Sequence, residues 1–279
     1  MVIRADEGVY QYLRTDKKFP LMWCSGCGNG IVMGSMLRAI DALGLDKNKI
    51  AVVSGIGCSG RASTYVDFNT LHTTHGRALT FATGLKLVRP ELTVLVVMGD
   101  GDALAIGGNH FIHAARRNLD LTAIIFNNYI YGMTGGQISP TTPQGMIAST
   151  ARAGNIESSF DVAKLAEGAG AGFVARGTSF YTKQLDELME KAIHKKGFSV
   201  VDVITQCPPI YGRYNRLGSA TDMMKWQAES ALELEKAEGL SPEELEKKFL
   251  TGVFIDEERP EYCEEYDRLV LEVQGKEGK

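Results

Sequence analysis

The chain has 279 residues, of which 44% are hydrophobic and 23% charged, and this composition is ordinary for a globular protein with a substantial core. The net charge of −4 gives no reason to expect a nucleic-acid or anionic-membrane partner. No run of 18 apolar residues is present, and the first 20 residues lack the apolar core of a signal peptide. We therefore expect a cytoplasmic protein, in which spaced cysteines bind metal or carry out redox chemistry more often than they form disulfides.

Residues 28–206 alternate between helix-like and strand-like stretches. Helices are predicted near 31–44, 76–90, 107–118, 161–169 and 181–194, and strands near 49–57, 92–101, 121–128 and 198–207. Continuous Val, Ile and Leu runs between helices are typical of a parallel sheet covered by helices on both faces. Such sheets bind ligands at the carboxyl ends of their strands. Four turns follow the predicted strands at that edge, at 55–60, 99–102, 127–136 and 207–212. The sequence thus predicts an α/β fold with a site at this edge.

The composition changes near residue 218, where charged and helix-prone segments begin. Ser241, Pro242 and Glu244 have the spacing of an N-cap, a first helical residue and a capping-box partner. We predict a domain over 1–217 that carries the site, and a C-terminal helical arm over 218–279 that packs on the domain or on a partner. Cys263 lies in this arm, away from the predicted site.

Two short motifs follow neighbouring strands: GDG at 99–101 and NN at 127–128. Asp100 offers a charged oxygen and Asn128 a neutral one, and Mg²⁺ prefers oxygen ligands. The glycines let the backbone approach a diphosphate closely, and the following helix offers its N-terminal N–H groups. A plain strand–turn–helix corner would explain GDG alone, so the prediction depends on the pair of motifs.

Together the motifs resemble the fingerprint of thiamine diphosphate enzymes. That resemblance implies Mg²⁺ held by Asp100, Asn128 and the backbone carbonyl of Ile130. The surrounding segments GCSGR, HGRALTFATGLK, GDGDALAIGGNH and NNYIYGMTGGQ resemble the beta subunits of the 2-oxoacid:ferredoxin oxidoreductases over roughly residues 20–215. The implied fold is the thiamine diphosphate-binding fold.

The segment WCSGCGNG at 23–30 contains Cys24 and Cys27. Taken alone, the pair fits a redox pair, half of a zinc site or part of an iron–sulfur site. Cys58 and Cys207 follow predicted strands at the same edge, so four thiolates could meet there, as a 4Fe-4S cluster requires. The resemblance implies that these four cysteines hold such a cluster close to the thiamine.

Two further residues are expected to act at this edge because of their positions: His75 precedes a predicted helix there, and Arg61 follows Cys58. His75 is expected near the diphosphate or the reacting carbon, and Arg61 near a substrate carboxylate; a capped helix start and a surface ion pair are the ordinary alternatives. The remaining residues expected to bind the cofactor are Gly57, Cys58, Ser59, Gly99, Asp100, Gly101, Asn128, Ile130 and Gly132.

The implied reaction is the coenzyme A-dependent oxidative decarboxylation of a 2-oxoacid, with electrons passed through the cluster to ferredoxin, or its reductive reverse. GCSGR and the short chain most resemble the 2-oxoglutarate subgroup, so 2-oxoglutarate is the expected substrate, while pyruvate and branched-chain or aryl 2-oxoacids stay open. The glutamate that activates thiamine belongs to a second domain not recognised in this sequence. An alpha subunit is therefore expected to supply it, in an (αβ)2 assembly. Two rival interpretations are a non-redox thiamine decarboxylase or synthase and a zinc-stabilised binding module.

Overall fold

The computed structural model describes residues 8–16 and 20–275. Its helices are α1 (Asn29–Ala42), α2 (Ala62–Tyr65), α3 (Ala78–Val88), α4 (Gly108–Arg117), α5 (Val162–Gly168), α6 (Thr182–His194), α7 (Ala220–Ser230), α8 (Leu234–Ala237), α9 (Pro242–Leu245) and α10 (Tyr262–Val273). Its strands are β1 (Ile50–Ser54), β2 (Asn69–His72), β3 (Thr93–Gly99), β4 (Leu121–Asn127), β5 (Ile130–Tyr131), β6 (Gln137–Ile138), β7 (Phe173–Thr178), β8 (Phe198–Ile204), β9 (Ala231–Glu233) and β10 (Phe249–Asp256). Tight turns of 3-10 or π type lie at Gly8–Tyr12, Lys47–Lys49, Ser59–Arg61, Asp102–Ile106 and Pro208–Gly212.

In this described part of the chain, eight strands form one sheet in the order β2-β1-β3-β4-β8-β7-β10-β9. The first six strands in this order, β2, β1, β3, β4, β8 and β7, are mutually parallel. Their carboxyl ends therefore lie at one edge, and the chain leaves that edge in the turns that follow β1, β3, β4 and β8. The strand and helix order is that of a doubly wound sheet, and the predicted fold class is confirmed.

Helices cover both faces of the sheet. On one face α1 and α6 pack over alternate strand residues such as Val52, Leu95 and Val201. On the other face α3, α4 and α5 pack over the intervening residues, including Val53 and Val96. Successive side chains of a strand point to opposite faces, so a strand buried on both sides reads as a continuous apolar run. This explains why the central strands were predictable.

The C-terminal region differs from the prediction of a purely helical arm. Its capping box is present, with Ser241 at the N-cap of α9 and Glu244 closing the box. However, β10 pairs antiparallel with β7, and β9 pairs with β10, so this region extends the main sheet. Cys263 of α10 is buried in the core below the sheet. The predicted boundary at residue 217 stays a prediction, and residues 276–279 of the predicted arm lie outside the described residues.

The region between α5 and α6 contains β7, which the sequence analysis missed. Its sequence, FVARGT, interrupts the apolar run with an arginine and a glycine. Arg176 is nevertheless buried, because Asp202 and Asp161 both accept hydrogen bonds from its guanidinium, at 2.7 and 2.5 Å. A buried ion pair thus replaces the apolar side chain that a strand pattern requires. None of the helices within the described ranges is long and apolar enough to cross a membrane.

Candidate active site

A narrow cavity opens at the carboxyl edge, where β1, β3 and β4 end and where α1 begins. It is lined by Asn29, Ile56, Gly57, Cys58, Ser59, His75, Gly99, Asp100, Gly101, Asp102, Phe126, Asn128, Tyr131, Gly132, Met133 and Thr134. Three of the four turns predicted at this edge, those after β1, β3 and β4, contribute to this lining, and most of the residues expected to bind thiamine diphosphate share the cavity. Five predicted site residues are not in this lining: Ile130, Arg61, Cys24, Cys27 and Cys207.

Asp100 is the buried acid of the cavity, with 2% of its surface exposed. Its Oδ2 accepts hydrogen bonds from Ser139 Oγ and Thr141 Oγ1, both at 2.5 Å. Burial raises the pKa of Asp100 to about 6, although these two hydrogen bonds oppose the shift. A buried carboxylate with no cationic side chain among these partners is costly unless a cation neutralises it. The surroundings of Asp100 therefore fit a divalent cation.

Asn128 lies one strand away from Asp100 and is also buried. Its Oδ1 accepts a hydrogen bond from the backbone N–H of Ile130 at 3.3 Å. The preceding residue, Asn127, donates from Nδ2 to Asp202 at 3.1 Å, and Asp202 is in turn paired with Arg176. This buried chain of contacts crosses β4, β8 and β7, and it fixes the turn that carries Asn128.

The glycines of the GDG motif are required by close packing. A Cβ at Gly101 would lie 2.3 Å from the ring of Tyr131, whose hydroxyl donates to the Gly101 carbonyl at 2.7 Å. A Cβ at Gly99 would lie 3.4 Å from Ser59 Oγ. The wall of the cavity is thus backbone here, which permits a ligand to approach the main chain closely.

His75, a predicted site residue, is paired with Asp102, which the sequence analysis did not predict. His75 Nδ1 is hydrogen-bonded to Asp102 Oδ1, which also accepts the backbone N–H of Gly76 at 2.7 Å. When Asp102 is ionised it only accepts, so Nδ1 is the donor of this bond, and in a neutral imidazole Nε2 is then the acceptor nitrogen. Burial raises the pKa of Asp102. Asp102 is the last residue of the sequence GDGD, in which only Asp100 was predicted to bind a ligand.

Hydrogen bonds bring the three cysteine-bearing segments together. The indole of Trp23, next to Cys24, donates to the Cys58 carbonyl at 2.7 Å. Between the first two cysteines, the Gly26 carbonyl accepts a hydrogen bond at 3.0 Å from the side-chain amide of Gln206, which precedes Cys207. The N-terminal turn is therefore tied both to the turn after β1 and to the turn after β8.

The four thiols are close enough to affect one another electrostatically. Burial raises the pKa of Cys27 to about 12, and the charges of Cys207, Cys58 and Cys24 raise it further, while the backbone N–H of Asn29 opposes the shift. Burial likewise raises the pKa of Cys58 to about 11, with added contributions from Cys207 and Cys24. Cys24 in turn raises the pKa of Cys207, after the larger effect of burial. Every pair among the four cysteines therefore interacts.

The spacing of these groups has a further consequence. Within the described ranges, no three His, Cys, Asp or Glu residues are grouped closely enough to hold a metal ion. A zinc ion needs its ligands in a single tetrahedral shell, so zinc would require these side chains to lie closer together. In a 4Fe-4S cluster each thiolate binds a different iron atom, and this requirement does not apply.

Arg61 lies beside the cysteines rather than in the cavity lining. Its Nε is buried and has no hydrogen-bond partner among the described residues. Its charge lowers the pKa of Cys58, against the larger effect of burial. Asn29 was missed by the sequence analysis, although it directly follows the CxxCG segment.

A larger cavity, of about 760 Å³, lies between the C-terminal region and the turn after β8. Its lining is mainly apolar and includes Tyr129, Tyr211, Met223 and Trp226. Aspartate, histidine and cysteine are absent from the described residues that line it. Its charged lining residues are Glu246, Lys247 and Lys248. We assign the candidate site to the smaller cavity, where Cys58, His75, Asp100 and Asp102 lie together.

The fold and the site together define a thiamine diphosphate-binding enzyme domain, and the family "Thiamine pyrophosphate enzyme, C-terminal TPP binding domain" matches residues 55–203. The chain is 51% identical to the 2-oxoglutarate synthase subunit KorB of Methanocaldococcus jannaschii, over 93% of this chain and 96% of the relative. It is 40% identical to the beta subunit of 2-oxoacid:ferredoxin oxidoreductase 2 of Aeropyrum pernix, over 82% of this chain and 73% of the relative.

A solved 2-oxoglutarate:ferredoxin oxidoreductase from Magnetococcus marinus, with 2-oxoglutarate, coenzyme A and succinyl-CoA bound, has a TM-score of 0.85 with this chain. The identity is 31%, and the match covers 97% of this chain and 91% of that one. The chain belongs to the family of 2-oxoacid:ferredoxin oxidoreductase beta subunits. The predicted family and enzyme class are confirmed, and a beta subunit acts together with partner subunits.

Proposed function

We propose that this beta subunit binds thiamine diphosphate, Mg²⁺ and a 4Fe-4S cluster, and takes part in the coenzyme A-dependent oxidative decarboxylation of 2-oxoglutarate to succinyl-CoA. The reductive reverse reaction uses the same groups. One observation carries the proposal: a buried carboxylate suited to a cation lies on the same sheet edge as four mutually interacting thiols.

The magnesium ligands are proposed to be Asp100, Asn128 and the carbonyl of Ile130. The Ser139 and Thr141 hydroxyls donate to Oδ2 of Asp100, and the backbone N–H groups of Asp100 and Asn128 also donate to this carboxylate, so a cation would bind its remaining lone pairs. The cation would neutralise a charge whose burial is otherwise costly. The backbone N–H of Ile130 is hydrogen-bonded to Asn128 Oδ1, and Ile130 itself lies outside the cavity lining.

When bound, thiamine diphosphate supplies the carbanion chemistry that releases CO₂ from a 2-oxoacid. The chain's own contribution is to bind and orient. Gly57, Gly99, Gly101 and Gly132 form walls that let the backbone approach the cofactor. Cys58 and Ser59 complete the wall after β1.

His75 and Arg61 are the proposed catalytic residues. Asp102 holds His75 with the proton on Nδ1, so Nε2 can accept a proton or a hydrogen bond at the reacting end of the cavity. Arg61 has a buried donor without a described partner, which suits recognition of a substrate carboxylate. Its position outside the cavity lining means that the partner subunit would have to help bring the substrate to it.

The cluster ligands are proposed to be Cys24, Cys27, Cys58 and Cys207. Support comes from the hydrogen bonds that join their three segments and from the raised pKa values of Cys27, Cys58 and Cys207, to which the neighbouring thiols contribute. Cys58 also lines the candidate thiamine cavity, so a cluster held there would lie within a short electron-transfer distance of the cofactor. Two-electron oxidation in one-electron steps requires such an acceptor.

The partner is proposed to be an alpha subunit that carries the glutamate needed to activate thiamine, in an (αβ)2 assembly that passes electrons to ferredoxin. The candidate cavity has a volume of about 60 Å³, whereas ligand pockets usually span ~300–1,000 Å³. This small volume is consistent with a site that the chain forms only in part and that a second subunit completes. A cytoplasmic location stays a prediction.

The 2-oxoglutarate preference is supported by the names of the relatives and of the solved structure. Pyruvate and other 2-oxoacids stay open as alternatives, because substrate choice is shared with the partner subunit.

The test is to co-express the chain with its partner subunits, purify the complex without oxygen, and measure thiamine, iron and sulfide content with the visible spectrum. We expect brown protein that dithionite bleaches, bound thiamine diphosphate, and coenzyme A-dependent reduction of a viologen dye with 2-oxoglutarate. Colourless, thiamine-loaded protein would instead support the non-redox interpretation. Retained colour after Cys58→Ser would show that only a partner subunit holds the cluster.

A further inference from the structure

Asn29 is a buried polar residue to which the proposed chemistry assigns no role. It is the first residue of α1 and has 0% of its surface exposed. Among the described residues, neither its Oδ1 nor its Nδ2 has a hydrogen-bond partner. A buried amide without partners costs free energy, and such groups in native proteins are rare. A ligand that completes its hydrogen bonding would explain why the residue is tolerated.

The position of Asn29 is fixed by close packing. The backbone N–H of Gly28 donates to the Gln206 carbonyl at 3.4 Å, and a Cβ on Gly28 would lie 1.9 Å from Thr205 Oγ1. Farther along α1, Arg38 forms two hydrogen bonds with Asp186 of α6, at 2.7 and 2.8 Å. The start of α1 therefore cannot shift readily to satisfy the amide elsewhere, and the side chain is pre-organised.

The surroundings indicate which ligand group the amide contacts. Asn29 lines the same cavity as Asp100 and Asn128, the proposed cation ligands. It also stands at the N-terminus of a 14-residue helix, the end that carries the positive part of the helix dipole. A group that pairs with a cation, a helix N-terminus and an N–H donor is an anion with several oxygens, and phosphate has this chemistry.

We propose that Asn29 is a ligand-binding residue whose side-chain amide donates a hydrogen bond to the diphosphate of the cofactor. The inference rests on the proposed function, because it takes the cavity to be the thiamine diphosphate site. The backbone N–H of Asn29 is hydrogen-bonded to the Cys27 thiol. The residue would then contact a cluster ligand through its main chain and the cofactor through its side chain.

The test uses the complex with its partner subunits, stripped of thiamine diphosphate, and two variants. Asn29→Leu keeps a similar shape without hydrogen bonds, and Asn29→Asp keeps the size but adds a negative charge. Calorimetry measures the binding of three probes in the presence of Mg²⁺: inorganic pyrophosphate, thiamine diphosphate and thiamine. The matched control is Ser199→Ala, since Ser199 on β8 is also fully buried with an unpartnered hydroxyl but does not line the cavity.

We expect Asn29→Leu to weaken pyrophosphate and thiamine diphosphate binding about 10- to 100-fold, the usual effect of losing a hydrogen bond to a charged group. Asn29→Asp should weaken both further by repulsion, whereas thiamine binding and the control should match wild type. The thermal midpoint of the stripped Asn29→Leu complex should not fall, because no described hydrogen bond is lost. A purely structural residue would instead lower the midpoint.

Three results would overturn the inference while leaving the proposed function intact. If both variants bind pyrophosphate as tightly as wild type, Asn29 does not contact the diphosphate. If the variants also bind thiamine, which has no diphosphate, more weakly, then the amide contacts the ring end of the cofactor. A lowered midpoint, with equal loss for all three probes, would make the residue structural. Failure of the wild-type complex itself to bind thiamine diphosphate would overturn the proposed function and this inference together.

Discussion

Replacing Asp100 by asparagine should stabilise the cofactor-free protein while abolishing magnesium binding. The carboxyl is buried, and its pKa in the folded chain is raised from 3.8 to about 6 by that burial. Since the folded pKa lies above the unfolded one, the folded chain holds the proton more tightly. The cost of ionising Asp100 is absent below the unfolded pKa, grows as the pH rises between the two values, and is complete above the folded pKa.

The size of this cost follows from the shift. A difference of roughly two pKa units corresponds to about 3 kcal/mol of lost stability at pH 8. Asparagine carries no charge, and its amide oxygen can accept the same hydrogen bonds from Ser139 and Thr141. The figure is an upper limit, because the amide has one acceptor oxygen fewer than the carboxylate.

The assay is differential scanning calorimetry of the stripped complex, wild type against Asp100→Asn, across the pH range. We expect the variant to have the higher midpoint at pH 8 and the difference to vanish near pH 4, while titration with Mg²⁺ and thiamine diphosphate gives no binding. Equal destabilisation of the variant at both pH values would refute the reasoning. It would mean that Asp100 is a stabilising hydrogen-bond acceptor rather than a buried charge that a bound cation neutralises.

Three further changes test the rest of the site. Gly101→Ala should displace Tyr131 and lower bound thiamine diphosphate while leaving the visible spectrum intact; full thiamine content would contradict the close packing. Asp102→Asn should lower kcat about tenfold or more with little change in KM, because His75 loses the partner that fixes its proton; an unchanged kcat would remove that role. Cys58→Ser should lower iron content and visible absorbance while thiamine still binds, whereas the same change at the buried Cys263 should leave both unaltered.

The central strands and the cavity were predictable because their signals are local. Val52, Leu95 and Ile124 belong to unbroken apolar runs that only a doubly covered strand produces. The GDG and NN motifs follow two such strands, so their meeting at one edge required only that the strands be parallel. Glycines and short polar turns at strand ends thus indicated both the fold and the position of the site.

The missed features depend on partners distant in the sequence. Arg176 reads as a surface residue until Asp202, on the neighbouring strand, is known to pair with it. The strand β10 gains its identity from antiparallel pairing with β7, and its own sequence has no strict alternation. Asn29 is an ordinary residue type at the start of a helix, and only its burial without hydrogen-bond partners distinguishes it as a candidate ligand-binding residue. No local pattern encodes these relations.

The antiparallel strand β10 also has a consequence for solubility. Without it, β7 would present a row of free backbone N–H and C=O groups along the border of a large, hydrophobic sheet. Such a border recruits strands from other molecules. A version of the chain shortened to residues 1–217 would keep every proposed ligand and yet is expected to self-associate, so the C-terminal region protects the protein from aggregation whatever it contributes to assembly.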